Sequence, residues 1–129
     1  MSTENSLTAW LARLLHTLAS RPLKVGLRKR FGNQPNDRDE AEEFSRLLIL
    51  PALESGKQII LDFEGTGLVT QSFIHALISE AVKGDARNAD RIVTINASRA
   101  QQAVYDLALR HMVDPMRNKI RSGPTLQAQ

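Results

Sequence analysis

The sequence predicts an α/β domain, a mostly parallel sheet of about three or four strands layered with helices, with one extra helix in front. Three observations carry this. Short apolar runs rich in β-branched residues recur at 58–63 and 91–96, each followed by a segment of helical spacing. The stretch Lys57 to Lys83 reads as strand, glycine turn, polar cap and helix, which is half of a βαβ unit. A further run, Leu23 to Arg30, alternates Leu23, Val25 and Leu27 against Lys24, Gly26 and Arg28, as a strand with one wet side does.

In chain order, a helix is expected from Ser6 to about residue 19, with Leu7, Trp10, Leu11, Leu14, Leu15 and Leu18 on one face. That face would pack on its own sheet or form a dimer or partner surface, a homodimer through residues 7–18 among them. Arg21-Pro22 ends the helix, and the alternating strand follows. A loop at 31–36 leads to a helix capped by Asn36 or Asp37, with acidic residues in its first turns and a buried stripe of Ala41, Phe44, Leu47 and Leu48. Pro51 should end or kink it, and Ser55-Gly56 closes it. After the central strand, Phe73, Ile74, Leu77, Ile78, Ala81 and Val82 share one helical face, opposite His75, Ser79 and Lys83. A polar turn at 84–90 precedes the last strand. Ser98 and Gln101 then form a capping box for a helix that buries Ala100, Ala103, Val104, Leu107 and Ala108 and runs to about His111. The organisation expected is a helical extension at 1–20, one domain at 21–113, and a flexible tail at 114–129.

At 129 residues the chain suits one domain. With 42% apolar and only 5% aromatic residues, the core must be aliphatic. The absence of Cys excludes disulfides, thiolate metal sites and cysteine nucleophiles. No run approaches the ~18 apolar residues of a membrane span, and Glu4 with no basic residue before Arg13 does not resemble a secretory signal. A cytoplasmic protein without membrane association is expected. The net charge of +3 is unevenly spread. Lys24, Arg28, Lys29 and Arg30 make a basic segment that could bind nucleic acid, or simply decorate a solvated edge.

Few residues carry chemistry. Asp62 ends the central strand and Glu64 follows on the same side, but too few ligands gather for a metal, and an Asp there commonly accepts N–H bonds from its turn. Gly65-Thr66-Gly67 lacks the rest of a phosphate-binding loop and suits a turn instead. Ser72 and His75 stand i, i+3, so a hydroxyl and an imidazole could approach each other as in a small hydrolase, yet no orienting group or oxyanion hole accompanies them. No cofactor or metal is expected, and no enzyme activity.

The run Ile59-Ile60-Leu61-Asp62-Phe63-Glu64-Gly65, continued by Leu68-Val69-Thr70-Gln71-Ser72-Phe73, resembles the bacterial STAS-like family of unknown function, which is similar to anti-sigma-factor antagonist (STAS) domains. The resemblance covers about residues 22–112, with its motif within 58–78. It implies a small STAS-like layered domain. In the antagonists a strand ending in Asp leads to an Asp-Ser-Ser-Gly helix start whose second Ser is phosphorylated by a partner kinase. Here Thr70, Gln71, Ser72 and Phe73 stand at those four places, so the Asp and the Gly are replaced. Thr66 stands where the family prefers Val, and His75 where it tends to be acidic. The resemblance implies a regulatory protein-interaction module whose partner is a histidine-kinase-like ATP-binding protein. Its contact surface would include Glu64, Thr66, Thr70, Gln71, Ser72, His75 and Ser79.

Overall fold

The computed structural model describes residues 7–13 and 21–113. Residues 7–13 are helical (α1). The elements that follow are β1 (Leu23–Gly26), α2 (Leu27–Phe31), α3 (Arg38–Phe44), a π-helical segment (Ser45–Ile49), α4 (Leu50–Glu54), β2 (Ile59–Asp62), α5 (Gln71–Gly84), a 3₁₀ turn (Ala86–Arg91), β3 (Ile92–Ile95) and α6 (Arg99–Val113).

The three strands form a parallel sheet in the order β1-β2-β3. Leu23, Ile59 and Ile92 lie in one row across it, and Val25, Leu61 and Thr94 in another. Both crossovers run in the same direction across the sheet. Their expected right-handedness places α3, α4 and α5 on one face. There α5 packs between α3 and α6. Between helices and sheet lies the core, with Val25, Leu27, Ile49, Ile59, Leu61, Phe73, Ile74, Leu77 and Ile78 almost fully buried. The aliphatic core and the buried face of α5 match expectation. Phe31 sets its ring edge-on against Phe44 and Phe73, joining three helices.

Four expectations need correction. The alternating run at 23–30 is a strand only to Gly26, because β2 offers β1 four partners and ends at Asp62. Beyond that point Leu27 and Phe31, four apart, satisfy helical packing as well as the alternation did. The stripe of the next helix is buried at Ala41 and Phe44 but not at Leu47 and Leu48, which are 62% and 44% exposed. Pro51 has no N–H to bond four residues back, and the backbone widens into the π segment just before it. The extra residue turns Leu47 and Leu48 outward and brings Ile49, Ala52 and Leu53 in.

In α6 the buried residues are Gln101, Tyr105, Ala108 and Met112, while Ala100, Ala103 and Leu107 are exposed and Val104 is partly buried. The turned-in Gln101 sets that rotation. The α1 face, expected either on its own sheet or at a dimer or partner surface, is exposed at its described apolar residues Leu7, Trp10 and Leu11. Leu14, Leu15, Leu18 and the tail 114–129 lie outside the described residues. The segment 84–90, expected as a plain turn, is mostly 3₁₀, started by Asp85, which accepts the Arg87 N–H.

Arg91 ties the layers together. Its Nη2 donates to the carbonyls of Leu53 at 2.8 Å and Lys57 at 2.9 Å, holding the end of α4 and the entry to β2 against the start of β3. Arg91→Ala leaves the Lys57 carbonyl unpaired and the Leu53 carbonyl with only the Gly56 N–H, and is expected to cost about 1–3 kcal/mol in a urea titration. An unchanged midpoint would show the clamp to be idle.

Candidate functional site

Both loops at the carboxyl edge of the sheet, β2 to α5 and β3 to α6, meet there, where open α/β sheets place their function. The longer one, residues 63–70, makes few backbone bonds of its own: Thr66 N–H and Oγ1 both donate to the Phe63 carbonyl, and Gly65 takes a φ of 76°. Other elements hold the rest.

On one side stands the loop after α2. The Gly67 N–H donates to the Asn33 carbonyl at 2.7 Å and the Thr70 N–H to the Pro35 carbonyl at 3.4 Å. Arg28, whose Nε donates to Asn33 Oδ1, lies across Gly65, where a Cβ would come within 2.8 Å of its Cδ. Left-handed backbone and crowding together explain the glycine.

On the other side stands Gln101. Its backbone N–H donates to Ser98 Oγ and its Oε1 accepts the Ser98 N–H, so the capping box forms as expected. Its Nε2 then donates to the carbonyls of Thr66 at 3.0 Å and Gly67 at 2.7 Å, and reaches Thr66 Oγ1 at 3.0 Å. One buried carboxamide both starts α6 and clamps the loop. The box was legible in the sequence, but the second use of its amide was not, since nothing local marks a contact 34 residues away.

Asp62 closes the base of the site. One carboxylate oxygen accepts the Glu64 N–H and the Asn96 Nδ2, each at 2.9 Å, and the other lies 3.6 Å from Lys24 Nζ. Asn96 itself has a φ of 57°, a conformation Asn tolerates better than most residues. The bonds from Asn96 and Glu64, with Lys24 nearby, hold the Asp62 carboxyl below its ordinary 3.8 against the opposing effect of burial. Among the described residues no group of three or more His, Cys, Asp and Glu could hold a metal ion.

The surface this frame presents is mixed. Glu64 is exposed, Leu68 is 70% exposed, and Val69 is tucked into the core. Thr70 caps α5, its Oγ1 accepting the Phe73 N–H at 3.1 Å. Ser72 is exposed in the first turn, its Oγ 3.5 Å from Thr70 Oγ1. Gln71 meets His111 of α6 at 3.3 Å. His75 and Ser79 follow along α5, both half-buried; burial above all, then Lys83, Arg38 and His111, lowers the His75 pKa. No hydrogen bond joins Ser72 to His75. Thr66 faces inward onto Gln101 and is structural. Behind the loop opens a cavity of about 720 Å³ lined by Phe63, Leu68, Ala97, Ala100 and Val104 with the Gln101 amide at its wall.

The basic segment is distributed rather than gathered. Lys24 pairs with Asp62, Arg28 with Asn33, and Arg30 lies 5.1 Å from the centre of the Phe44 ring. Lys29 is exposed on the same helix.

Gln101→Ala is expected to lower stability by about 2–4 kcal/mol, since it leaves two loop carbonyls and the Ser98 N–H unpaired. Amide exchange at 64–70 should quicken beyond the global loss; exchange changed only in step with global stability would contradict the clamp. Asp62→Ala should cost about 1–3 kcal/mol at neutral pH. Because the folded pKa is depressed, the ionised carboxylate stabilises fully above 3.8 and loses that contribution as pH falls through the folded value. The gap between wild type and variant should therefore shrink below pH 4, and a pH-independent gap would rule the carboxylate out.

Residues 40–102 match the family model described as a STAS-like domain of unknown function. The match runs from α3 into the first turn of α6 and takes in β2, the 63–70 loop, α5 and β3. No curated protein and no solved structure matches the chain.

Proposed function

We propose that this chain, whose residues 40–102 match the model of a STAS-like domain, is a non-enzymatic regulatory module that binds a protein partner through the 63–70 loop and the first turns of α5. One observation supports it most. The loop is held from both flanks by bonds to Asn33, Pro35 and Gln101, yet carries Leu68 and Glu64 outward beside exposed Ser72. A pre-ordered loop with an apolar tip loses little entropy on contact, and protein interfaces favour such anchors. The resemblance to anti-sigma-factor antagonists makes a histidine-kinase-like ATP-binding protein the partner class.

Ser72 is the regulatory pivot in this reading. Thr70 already caps the helix, so the Ser72 hydroxyl is not needed for that role. A phosphate on it would add about −1.5 to −2 charges at the positive end of the α5 dipole, which tolerates them. The fold would survive while the surface changed sign.

The test is capture of an ATP-binding protein from extract of the native cells on the immobilised full chain. Thr70→Ala should cost about 1 kcal/mol and Ser72→Ala less than about 0.5 kcal/mol. Leu68→Asp and Ser72→Asp should fold normally and lose the captured protein. Equal capture by both folded variants would end the proposal.

A further inference from the structure

The cavity of about 720 Å³ behind the 63–70 loop falls within the size range of small-molecule sites, roughly 300–1,000 Å³. Most of its wall is apolar, formed by Phe63, Leu68, Val69, Ala97, Ala100 and Val104. It is also pre-formed. Asn33, Pro35 and Gln101 hold the loop from both flanks, so a ligand entering the cavity does not have to order it.

The polar groups left open in this wall are mainly acceptors. Glu64 is the one ionisable residue among the described residues that line it. Its side chain is exposed, and the ion pairs among the described residues, Lys24–Asp62, Arg38–Glu42 and Arg87–Asp85, leave it out. The Gln101 amide is engaged at both ends, Oε1 by the Ser98 N–H and Nε2 by the loop carbonyls. Asn96 gives its Nδ2 to Asp62, which leaves Oδ1 as the end open to a ligand. Thr66 Oγ1 donates to the Phe63 carbonyl, and the Ser98 hydroxyl accepts the Gln101 N–H while keeping its own proton to donate. Two arginines stand near without lining the cavity. Arg28 donates its Nε to Asn33, and Arg99 is exposed beside Ser98.

We infer that this cavity binds a small organic cation, a primary amine with an aliphatic body, its ammonium on Glu64 and Asn96 Oδ1 and its hydrocarbon against Leu68, Ala100 and Val104. An ammonium only donates hydrogen bonds, which suits a carboxylate and an amide oxygen. An anionic ligand of the same shape would meet Glu64 with like charge. The hydrocarbon supplies most of the affinity, because an exposed ion pair contributes little. Charge supplies the selectivity. Leu68 belongs to this cavity and to the proposed partner contact alike, but the amine site does not rest on that reading, and no protein partner enters its test.

The probes are octylammonium, 1-octanol and octanoate, each titrated below its micelle concentration into the isotope-labelled full chain while amide shifts are read by NMR. Octylammonium should shift the amides of 64–69 and 96–104 saturably. It should bind about twofold to fivefold more tightly than octanol, the margin of one exposed ion pair, and octanoate should bind more weakly than either. Glu64→Gln, at an exposed position, should fold normally and bring octylammonium and octanol to equal affinity. Ala100→Trp, also exposed, fills the cavity and should abolish saturation by all three probes. Octylammonium that gives no saturable shift, or binds no better than octanoate, overturns the inference. So does binding that survives Ala100→Trp unchanged, which would place the probe elsewhere. A wild type that stays silent while a variant with Arg117→Ser, Lys119→Ser and Arg121→Ser binds the probe would give the cavity to the chain's own basic tail and overturn the inference as well.

Discussion

The loop leaving β2 has no ladder to satisfy its backbone, and side chains and carbonyls from three other places do so instead. Asp62 takes the Glu64 N–H, the Asn33 and Pro35 carbonyls take those of Gly67 and Thr70, and Gln101 supplies donors to the Thr66 and Gly67 carbonyls. Buried or half-buried polar groups are costly to leave unpaired, so these bonds act as constraints more than as gains. Together they turn a glycine-containing connection into a fixed surface. The orientation of α6 depends on the same bonds, because Gln101 cannot reach the loop unless its side of the helix faces inward.

The π segment has a comparable reach. A helix meeting Pro51 must give up a hydrogen bond, and here it does so by widening one turn before the proline. The change keeps the helix continuous from Arg38 to Glu54 and rotates its second half relative to its first. Phe44 and Ile49 stay in the core on either side of the turn. Leu47 and Leu48 are the consequence, exposed beside the strand that starts at Leu23, and they give the outer edge of the domain its apolar character.

Charge is used locally in the 21–30 segment. Lys24 reaches toward a carboxylate that also receives two neutral hydrogen bonds, Arg28 spreads over a glycine, and Arg30 sits near aromatic rings. None of these contacts is strong in an exposed setting. Lys24 and Arg28 tie β1 and α2 to the end of β2 and to Gly65 of the loop, and Arg30 links α2 to α3.

What the sequence determined by itself was set by short-range periodicity. Ile59 to Phe63 is mostly apolar, rich in β-branched residues and of strand length, and Phe73, Ile74, Leu77, Ile78, Ala81 and Val82 repeat at helical spacing, so the central strand and α5 follow from local pattern. The capping box of Ser98 and Gln101 and the cap of Asp37 were legible for the same reason, since cap and partner lie three residues apart. Tertiary structure decided the rest. Leu23, Val25 and Leu27 fit a strand and Leu27 and Phe31 fit a helix, and only the length of the neighbouring β2 ended the strand at Gly26. Leu47 and Leu48 fit a buried stripe until the bond lost at Pro51 shifted the register. The far contacts of Gln101, Asn96 and Arg91 join residues more than thirty positions apart, and no local pattern encodes a hydrogen bond whose partner is chosen by packing.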